Sequence, residues 1–302
     1  MTTGITAWID GKFVDCGEAT VPLLSHSFSR GSAIFEVMSI TSTIKGPAFF
    51  CLEEHMERFF FSAEQSYMKI PYTKEEIREA LFATARRNSV ENGFAKLYAY
   101  YPDIDLGTTP SDNVSAAVFC VGYSHPGIRR QGPRQGISVG ISGYRKLHPE
   151  TTAVHAKIAG NYVNGYLARM EVKKRGFDDV LMLDTNGYIA EGPTANILLI
   201  NGTSVQTPGI ENVLPGITRR VIMKILDDMG YPEKETQIRP EDLGRYEEAF
   251  FSGTLNPVQP ILRIEDKIFA CPGPMTSAIM SRMNEILSGR APQYENLLTL
   301  IS

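Results

Sequence analysis

Cysteine is scarce in this chain. The 302 residues hold four, Cys16, Cys51, Cys120 and Cys271, and none stands in a C-x-x-C pair. Such scatter argues against a zinc ribbon or a disulfide framework, offers no metal-ligand set and fits a reducing cytoplasm, where the protein is expected to reside. Surplus positive charge is missing too: 30 Lys and Arg against 34 Asp and Glu leave a net charge of −4. With no basic excess to neutralise phosphates, nucleic-acid binding is not expected. No uninterrupted apolar run approaches the roughly 20 residues that span a bilayer. The opening MTTGITAWIDGKFVD lacks a basic segment leading into an apolar one, so neither a signal peptide nor a membrane anchor is expected. There is no internal repeat and no low-complexity tract.

What is present is the composition of an ordinary soluble globular protein, 43% hydrophobic and 21% charged, with enough chain for two cores. The clearest composition shift is GYSHPGIRRQGPRQG at 122–136, whose four glycines and two prolines forbid a regular helix or strand. It divides the chain into a small N-terminal domain (1–121), an interdomain loop (122–136) and a larger domain (137–302). Arg129, Arg130 and Arg134 in the loop either attract a substrate carboxylate or are simply solvated.

The first domain opens with a hairpin over 7–14, turning at Asp10-Gly11. A polar loop at 24–30 precedes strands at 32–40 and 48–51. The apolar spacing of Met56, Phe59, Phe60, Ala63 and Tyr67 predicts a helix over 52–68. Thr73 and Glu76 form a capping box for a second helix, and strands are expected at 95–101 and 114–123. The second domain has a strand at 137–142, a helix over 161–175 closed by Gly176, a strand at 180–183, a turn at Asn186-Gly187 and a strand at 196–200. A helix follows from about Gly216 to Gly230, with a stripe of Ile217, Val221, Ile222, Ile225 and Met229. A strand running into Ser252-Gly253-Thr254 and a helix over 275–287 complete an α+β pattern, the second domain being richer in β-structure.

The candidate chemistry begins at Lys157, a lone lysine among small and apolar neighbours in His155-Ala-Lys-Ile-Ala-Gly-Asn-Tyr162. An amine is a poor nucleophile while protonated, at an ordinary pKa of about 10.4. Desolvation, or condensation with an aldehyde cofactor, makes it a Schiff-base lysine. A pyridoxal ring then needs an acid at its ring nitrogen to act as an electron sink, and Glu191, on the return limb of the 180–191 hairpin, could supply it. Alone, each residue reads more readily as a solvated surface charge. Gly216, before a helix, lets backbone amides approach an anion that the helix dipole favours.

Taken together, Lys157-Ile-Ala-Gly-Asn-Tyr162, Asp184-Thr-Asn-Gly-Tyr-Ile-Ala-Glu191-Gly followed by Asn196, Leu214-Pro-Gly-Ile-Thr-Arg219, Ser252-Gly-Thr254 and the H-x-x-R of His55 and Arg58 resemble the signature of the class IV (fold-type IV) pyridoxal-phosphate-dependent aminotransferases, most of all their branched-chain amino-acid branch. The resemblance implies a two-domain fold with a small α/β N-terminal domain and a larger β-rich domain that binds pyridoxal 5'-phosphate. It assigns Lys157 as the catalytic lysine that also carries the cofactor, Tyr162 to the ring oxygen and Glu191 to the ring nitrogen. Arg58, the amides of Ile217 and Thr218, and Thr254 are assigned to the phosphate. Read without the resemblance, Arg58 is a helical arginine paired with Glu54. His55 is expected to be structural.

The implied reaction is transfer of an amino group from a branched-chain L-amino acid to a 2-oxo acid, 2-oxoglutarate first among them. The implied partners are such small molecules and a second copy of the chain, as a homodimer or larger homo-oligomer. The substrate side departs from the branched-chain pattern. Those enzymes carry Phe-Glu-Gly-hydrophobic-Arg and Tyr-x-Arg, whereas this chain reads Phe35-Glu-Val37-Met-Ser39 and Tyr98-Ala-Tyr100. Phe35, Val37 and Tyr98 are left to line a pocket, and Arg30 is either a relocated carboxylate binder or a surface residue. A D-amino-acid or amine transaminase is therefore the alternative, followed by an aminodeoxychorismate lyase-like enzyme and a non-catalytic binder of phosphorylated ligands.

Overall fold

The computed structural model describes residues 4–126, 128 and 136–301. In chain order the elements are β1 (Thr6–Ile9), β2 (Lys12–Asp15), α1 (His26–Arg30), β3 (Ile34–Thr43), β4 (Gly46–Phe50), α2 (Leu52–Gln65), α3 (Lys74–Arg87), β5 (Gly93–Tyr100) and β6 (Ser115–Gly122). After the connection come β7 (Ile137–Arg145), α4 (Tyr162–Lys174), β8 (Asp179–Leu183), β9 (Asn196–Asn201), β10 (Ser204–Thr207), α5 (Ile217–Asp228), β11 (Glu233–Glu235), β12 (Glu248–Ser252), β13 (Gln259–Ile264), β14 (Lys267–Ile268), α6 (Pro274–Leu287) and β15 (Leu298–Leu300). The architecture is α+β, and the described residues form two compact units. The first takes residues 4–128 together with Ala156–Gly160 and 285–301; the second takes 136–155 and 161–284. Two segments that follow the connection in sequence thus pack with the unit that precedes it. Arg129, Arg130 and Arg134 lie outside the described residues.

The first unit is built on a seven-stranded antiparallel sheet in the order β15-β4-β3-β5-β6-β1-β2. Strand alternation sends Ile34, Met38 and Ile40 of β3 and Ala95, Leu97 and Ala99 of β5 to the inner face. There they meet Met56 and Phe59 of α2 and Ile77 and Leu81 of α3. Each fully buried Ile, Leu, Met or Phe among them stabilises the fold by about 1.5–3 kcal/mol. The same period of two puts Glu36 on the inner face and Phe35, Val37 and Tyr98 on the other, where they are half-buried.

Local chemistry explains the element ends. The β1–β2 turn forms at Asp10-Gly11, both with positive φ (45° and 83°), which glycine and aspartate tolerate. Thr73 and Glu76 make the expected capping box on α3. The helix expected over 52–68 stops at Gln65. Tyr67 turns left-handed (φ 55°), and the Met68 and Tyr67 amides close back on the Ala63 and Glu64 carbonyls in a Schellman-type finish. The stretch 24–30 is not wholly loop, as expected from its polarity, but holds the short α1. Ser25 Oγ caps it from 3.2 Å off the Phe28 amide, and left-handed Gly31 ends it.

The second unit carries an eight-stranded mixed sheet in the order β11-β10-β9-β12-β13-β7-β8, with β14 paired to β13. The β13–β7 and β7–β8 pairs are parallel. Helix α4 supplies the crossover between the last two and packs Ala168 and Val172 on Val180 and Met182 of β8. The return limb after the Asn186-Gly187 turn is held by bridges, Leu183 to Ile189 and Glu191 to Asn196, rather than by a regular strand. Asp184 shapes that turn, its Oδ1 accepting the Asn186 and Tyr188 amides at 2.9 and 2.8 Å.

Candidate active site

Lys157 lies in the short segment that joins the first unit. Three main-chain bonds sew this segment along β3 and the turn before it. The Phe35 amide donates to the Lys157 carbonyl (3.1 Å), and the Ala159 and Gly160 amides donate to the Ala33 and Gly31 carbonyls (both 2.8 Å). Glycines permit this approach: a Cβ on Gly31, at φ 71°, would stand 2.9 Å from the Gly160 Cα. The Lys157 amine lies 4.7 Å from the Phe35 ring centroid, a cation–π contact. Phe35 stacks at 6.1 Å on Tyr98, its register partner across β5. Val37, one step along, stands opposite Lys96, whose amine is 6.0 Å from the Tyr98 ring. Arg30 is exposed at the end of α1, beside Gly31.

Behind Phe35, on the inner face, lies a buried ionic cluster. The Arg58 fork meets both oxygens of Glu36, Nε to Oε1 at 2.6 Å and a terminal nitrogen to Oε2 at 2.9 Å. His55 Nδ1 is 2.8 Å from Oε2. An ionised carboxylate only accepts, so Nδ1 carries the proton. Glu36 and His55 are 0% and 1% exposed. Burial by itself would raise the Glu36 carboxyl, but Arg58 and His55 outweigh it and hold the group at about 2. For His55, burial is the leading cause of a pKa below the ordinary 6.5, with Glu36 opposing, so the ring is neutral. Neither reading of Arg58 from sequence foresaw Glu36 as its partner. The signal was available: Glu36 alternates in phase with Ile34, Met38 and Ile40, and an acid on a buried strand face needs a cation. A guanidinium has five donors, and this pairing uses two.

The second unit gathers the other motif residues. Glu191 is 3% exposed and three groups hold its carboxylate. Lys146 Nζ is 2.6 Å from Oε1, the Leu214 amide donates to Oε1 (3.3 Å), and Asn196 Nδ2 donates to Oε2 (3.1 Å). Asn196 Nδ2 also meets the Leu214 carbonyl at 3.1 Å. This ties the acid to the start of α5. That helix begins on Gly216 with no side-chain cap and no acidic residue in its first turn. A Cβ on Gly216 would fall 1.9 Å from Asn196 Oδ1, so only glycine brings the helix start so near. Ile217 and Thr218 are its first residues, both buried. Thr254 is half-buried just past β12, whose last residue, Ser252, pairs in register with Asn196. Ser252 Oγ is buried with no hydrogen-bond partner. Tyr162 is half-buried at the first position of α4. Lys146 is a site residue that sequence reasoning passed over, and Asn196 stood in the signature without an assigned role.

These residues fit pyridoxal phosphate. An immobilised carboxylate suits a protonated ring nitrogen, and an uncapped helix start with a buried, unsatisfied hydroxyl in the neighbouring strand suits a phosphate. Among the described residues no group of acidic, histidine or cysteine side chains could hold a metal, and no helix is long and apolar enough to cross a membrane.

Comparison with known proteins gives the same direction. The family model described as amino-transferase class IV matches residues 33–264. The branched-chain-amino-acid aminotransferase of Pseudomonas aeruginosa is 31% identical over 297 residues, 97% of this chain and 96% of that protein. A branched-chain amino acid aminotransferase designated T.th. superposes with TM-scores of 0.93 in its complex with N-(5'-phosphopyridoxyl)-L-glutamate and 0.94 in its complex with 4-methylvaleric acid. It is 30% identical, with 100% of both chains covered.

Proposed function

The chain belongs to the class IV aminotransferases, and from that premise we propose that it moves the amino group of a branched-chain L-amino acid to a 2-oxo acid, with 2-oxoglutarate as acceptor. It is a pyridoxal-phosphate-dependent aminotransferase. The observation that carries the donor assignment is the setting of the lysine amine, 4.7 Å from the Phe35 ring on a sheet face shared with Val37 and Tyr98. The part of that face formed by Phe35, Val37 and Tyr98 favours an aliphatic side chain. The T.th. enzyme is complexed with a phosphopyridoxyl derivative of L-glutamate and with a branched acid, which supports both ends of the exchange.

The residues divide the work by chemistry. Pyridoxal phosphate, when bound, supplies the electron sink that stabilises negative charge at the substrate α-carbon. Lys157 Nζ would hold the cofactor, and its free amine would take the α-proton and later return a proton, acting first as base and then as acid. Glu191 keeps a proton on the ring nitrogen, and its three fixed partners keep it from turning away. The Tyr162 hydroxyl donates to the ring oxygen. Arg58, the amides of Ile217 and Thr218, and Thr254 hold the phosphate, which fixes orientation rather than reacting. A cytoplasmic homodimer completes the reading. The exposure of Leu23, Phe28 and Leu106 (71%, 63% and 80%) on the first unit supports the association, which light scattering checks.

One observation favours a second reading. Strands β3 and β5, which carry Phe35 and Tyr98, contain no arginine. Two strands that offer no guanidinium to the α-carboxylate suit a D-amino acid that presents its carboxylate elsewhere, or an amine lacking that group. The absorption spectrum of the purified protein decides between them. Loss of the lysine-bound cofactor band with L-leucine, and glutamate formed from 2-oxoglutarate, is the expected result. Loss only with D-alanine or a simple primary amine moves the donor to the second class. A Lys157→Ala variant that still turns over at the original rate removes the catalytic assignment altogether.

A further inference from the structure

Lys157 has to present its amine in a defined direction, and a four-carbon stem magnifies any swing of the main chain from which it grows. Both main-chain polar groups of Lys157 are tied, each to a different element. Its carbonyl accepts the Phe35 amide on β3 (3.1 Å), and its amide donates to Ser62 Oγ on α2 (2.9 Å). Ser62 is fully buried. Its hydroxyl donates to the Arg58 carbonyl one turn earlier (2.8 Å). That back-bond points the hydroxyl hydrogen along the helix and leaves a lone pair facing Lys157. Arg58 is in turn clamped by its fork to Glu36, the neighbour of Phe35 in the chain. The contacts therefore close a ring: Lys157 to Ser62, Ser62 to Arg58, Arg58 to Glu36, and Phe35 back to Lys157. The ring joins the lysine segment, a helix and a strand.

We propose that Ser62 is a positioning residue for Lys157, its hydroxyl fixing the lysine's main chain and so the direction of the amine. The proposal rests on the reading of Lys157 as the cofactor-bearing lysine. The remaining bonds of the segment, from Ala159 and Gly160, run to the Gly31–Ala33 side. Removing the hydroxyl leaves the part-buried Lys157 amide without its acceptor while the rest of the segment stays sewn to β3 and the turn before it. The lysine then pivots about its carbonyl bond, and a shift of about 1 Å at a reacting atom costs on the order of 100-fold in rate.

The test compares the cofactor-loaded wild type with Ser62→Ala, Ser62→Thr and Ser66→Ala. Ser66, just past the end of α2, makes the same kind of back-bond, to the Ser62 carbonyl at 2.7 Å, and serves as the control. Hydrogen exchange at the Lys157 amide is read together with the pH midpoint of the lysine-bound cofactor band, kcat and KM. In Ser62→Ala, exchange at Lys157 is expected to rise about 10-fold while other core amides of α2 and β3 hold. The band midpoint should move, and kcat should fall between about 10- and 100-fold with KM little changed. Ser62→Thr keeps a hydroxyl and should restore the midpoint and exchange, and Ser66→Ala should resemble the wild type. Wild-type exchange at Lys157 in Ser62→Ala overturns the proposal, as does a rise shared equally by α2, which would mark ordinary loss of packing. A wild type with no lysine-bound cofactor band overturns the functional reading and the proposal with it, so the two failures are told apart.

Discussion

At the scale of single residues, the most consequential is one to which the sequence assigned no role. Glu36 is an acid on the inner face of a strand, kept ionised by Arg58 and His55. Its folded pKa, about 2, lies below the ordinary 4.5, so its contribution is fully present above pH 4.5 and is lost as pH falls towards 2. A shift of that size corresponds to about 3 kcal/mol. His55 acts in the same direction. Below pH 6.5 the unfolded chain takes a proton that the buried ring refuses, so stability also declines there. Replacing Glu36 by Gln strands the Arg58 charge, and a loss of about 3–5 kcal/mol at neutral pH is expected. Urea unfolding at pH 7 and pH 4 measures both effects: the variant should be weaker at pH 7 and should lose less than the wild type on acidification. An equal acid loss in both proteins would mean that Glu36 is not the group responsible.

Among the elements, α5 does the most for the site with the least sequence. Its start must be bare of side chain, because Asn196 Oδ1 occupies the space where a Cβ on Gly216 would go. Asn196 also holds Glu191 and the Leu214 carbonyl. A Gly216→Ala substitution therefore disturbs the acid and the helix start at once. Losing two buried hydrogen bonds at about 1–3 kcal/mol each should weaken cofactor binding by at least tenfold. Titration of cofactor-free protein with pyridoxal phosphate measures this, and binding unchanged from the wild type would separate α5 from the phosphate. The stripe of Ile217, Val221, Ile222 and Ile225 that packs α5 is plain in the sequence and is buried in the structure. The contact with Asn196, twenty residues upstream, is not, since no periodicity links a helix start to the first residue of a strand.

For the whole molecule, sequence order and spatial grouping part company at two places. Residues 156–160 and 285–301 belong to the first unit, although a long stretch of the second precedes or surrounds each. The C-terminal β15 becomes the edge strand beside β4, with Leu298 opposite Phe50 and the Ile301 amide on the Pro47 carbonyl at 2.9 Å. Deleting residues 298–302 should uncover β4, a strand that carries Phe49 and Phe50, and create an open apolar edge. A lower thermal midpoint and concentration-dependent aggregation are expected, read by calorimetry and light scattering. A truncated protein as stable and monodisperse as the intact one would mean that β15 adds nothing to the sheet.

The sequence by itself determined what local chemistry can encode. Strand alternation in 34–40, helical stripes in α2 and α5, the Thr73 capping box and the Asp10-Gly11 turn are all set by neighbours within a few positions, and they appear where expected. The motif residues Lys157, Tyr162, Glu191, Ile217, Thr218 and Thr254 stand in short runs, and those runs carry the resemblance to the class IV aminotransferases from which their roles are proposed. Only the tertiary structure decided the partners of buried charges: Arg58 on Glu36 rather than its helical neighbour alone, Lys146 on Glu191, and the Lys157 amide on Ser62. These pairs bridge 22, 45 and 95 positions. A charge or amide withdrawn from water must find a partner somewhere, but which one it finds depends on how the elements pack.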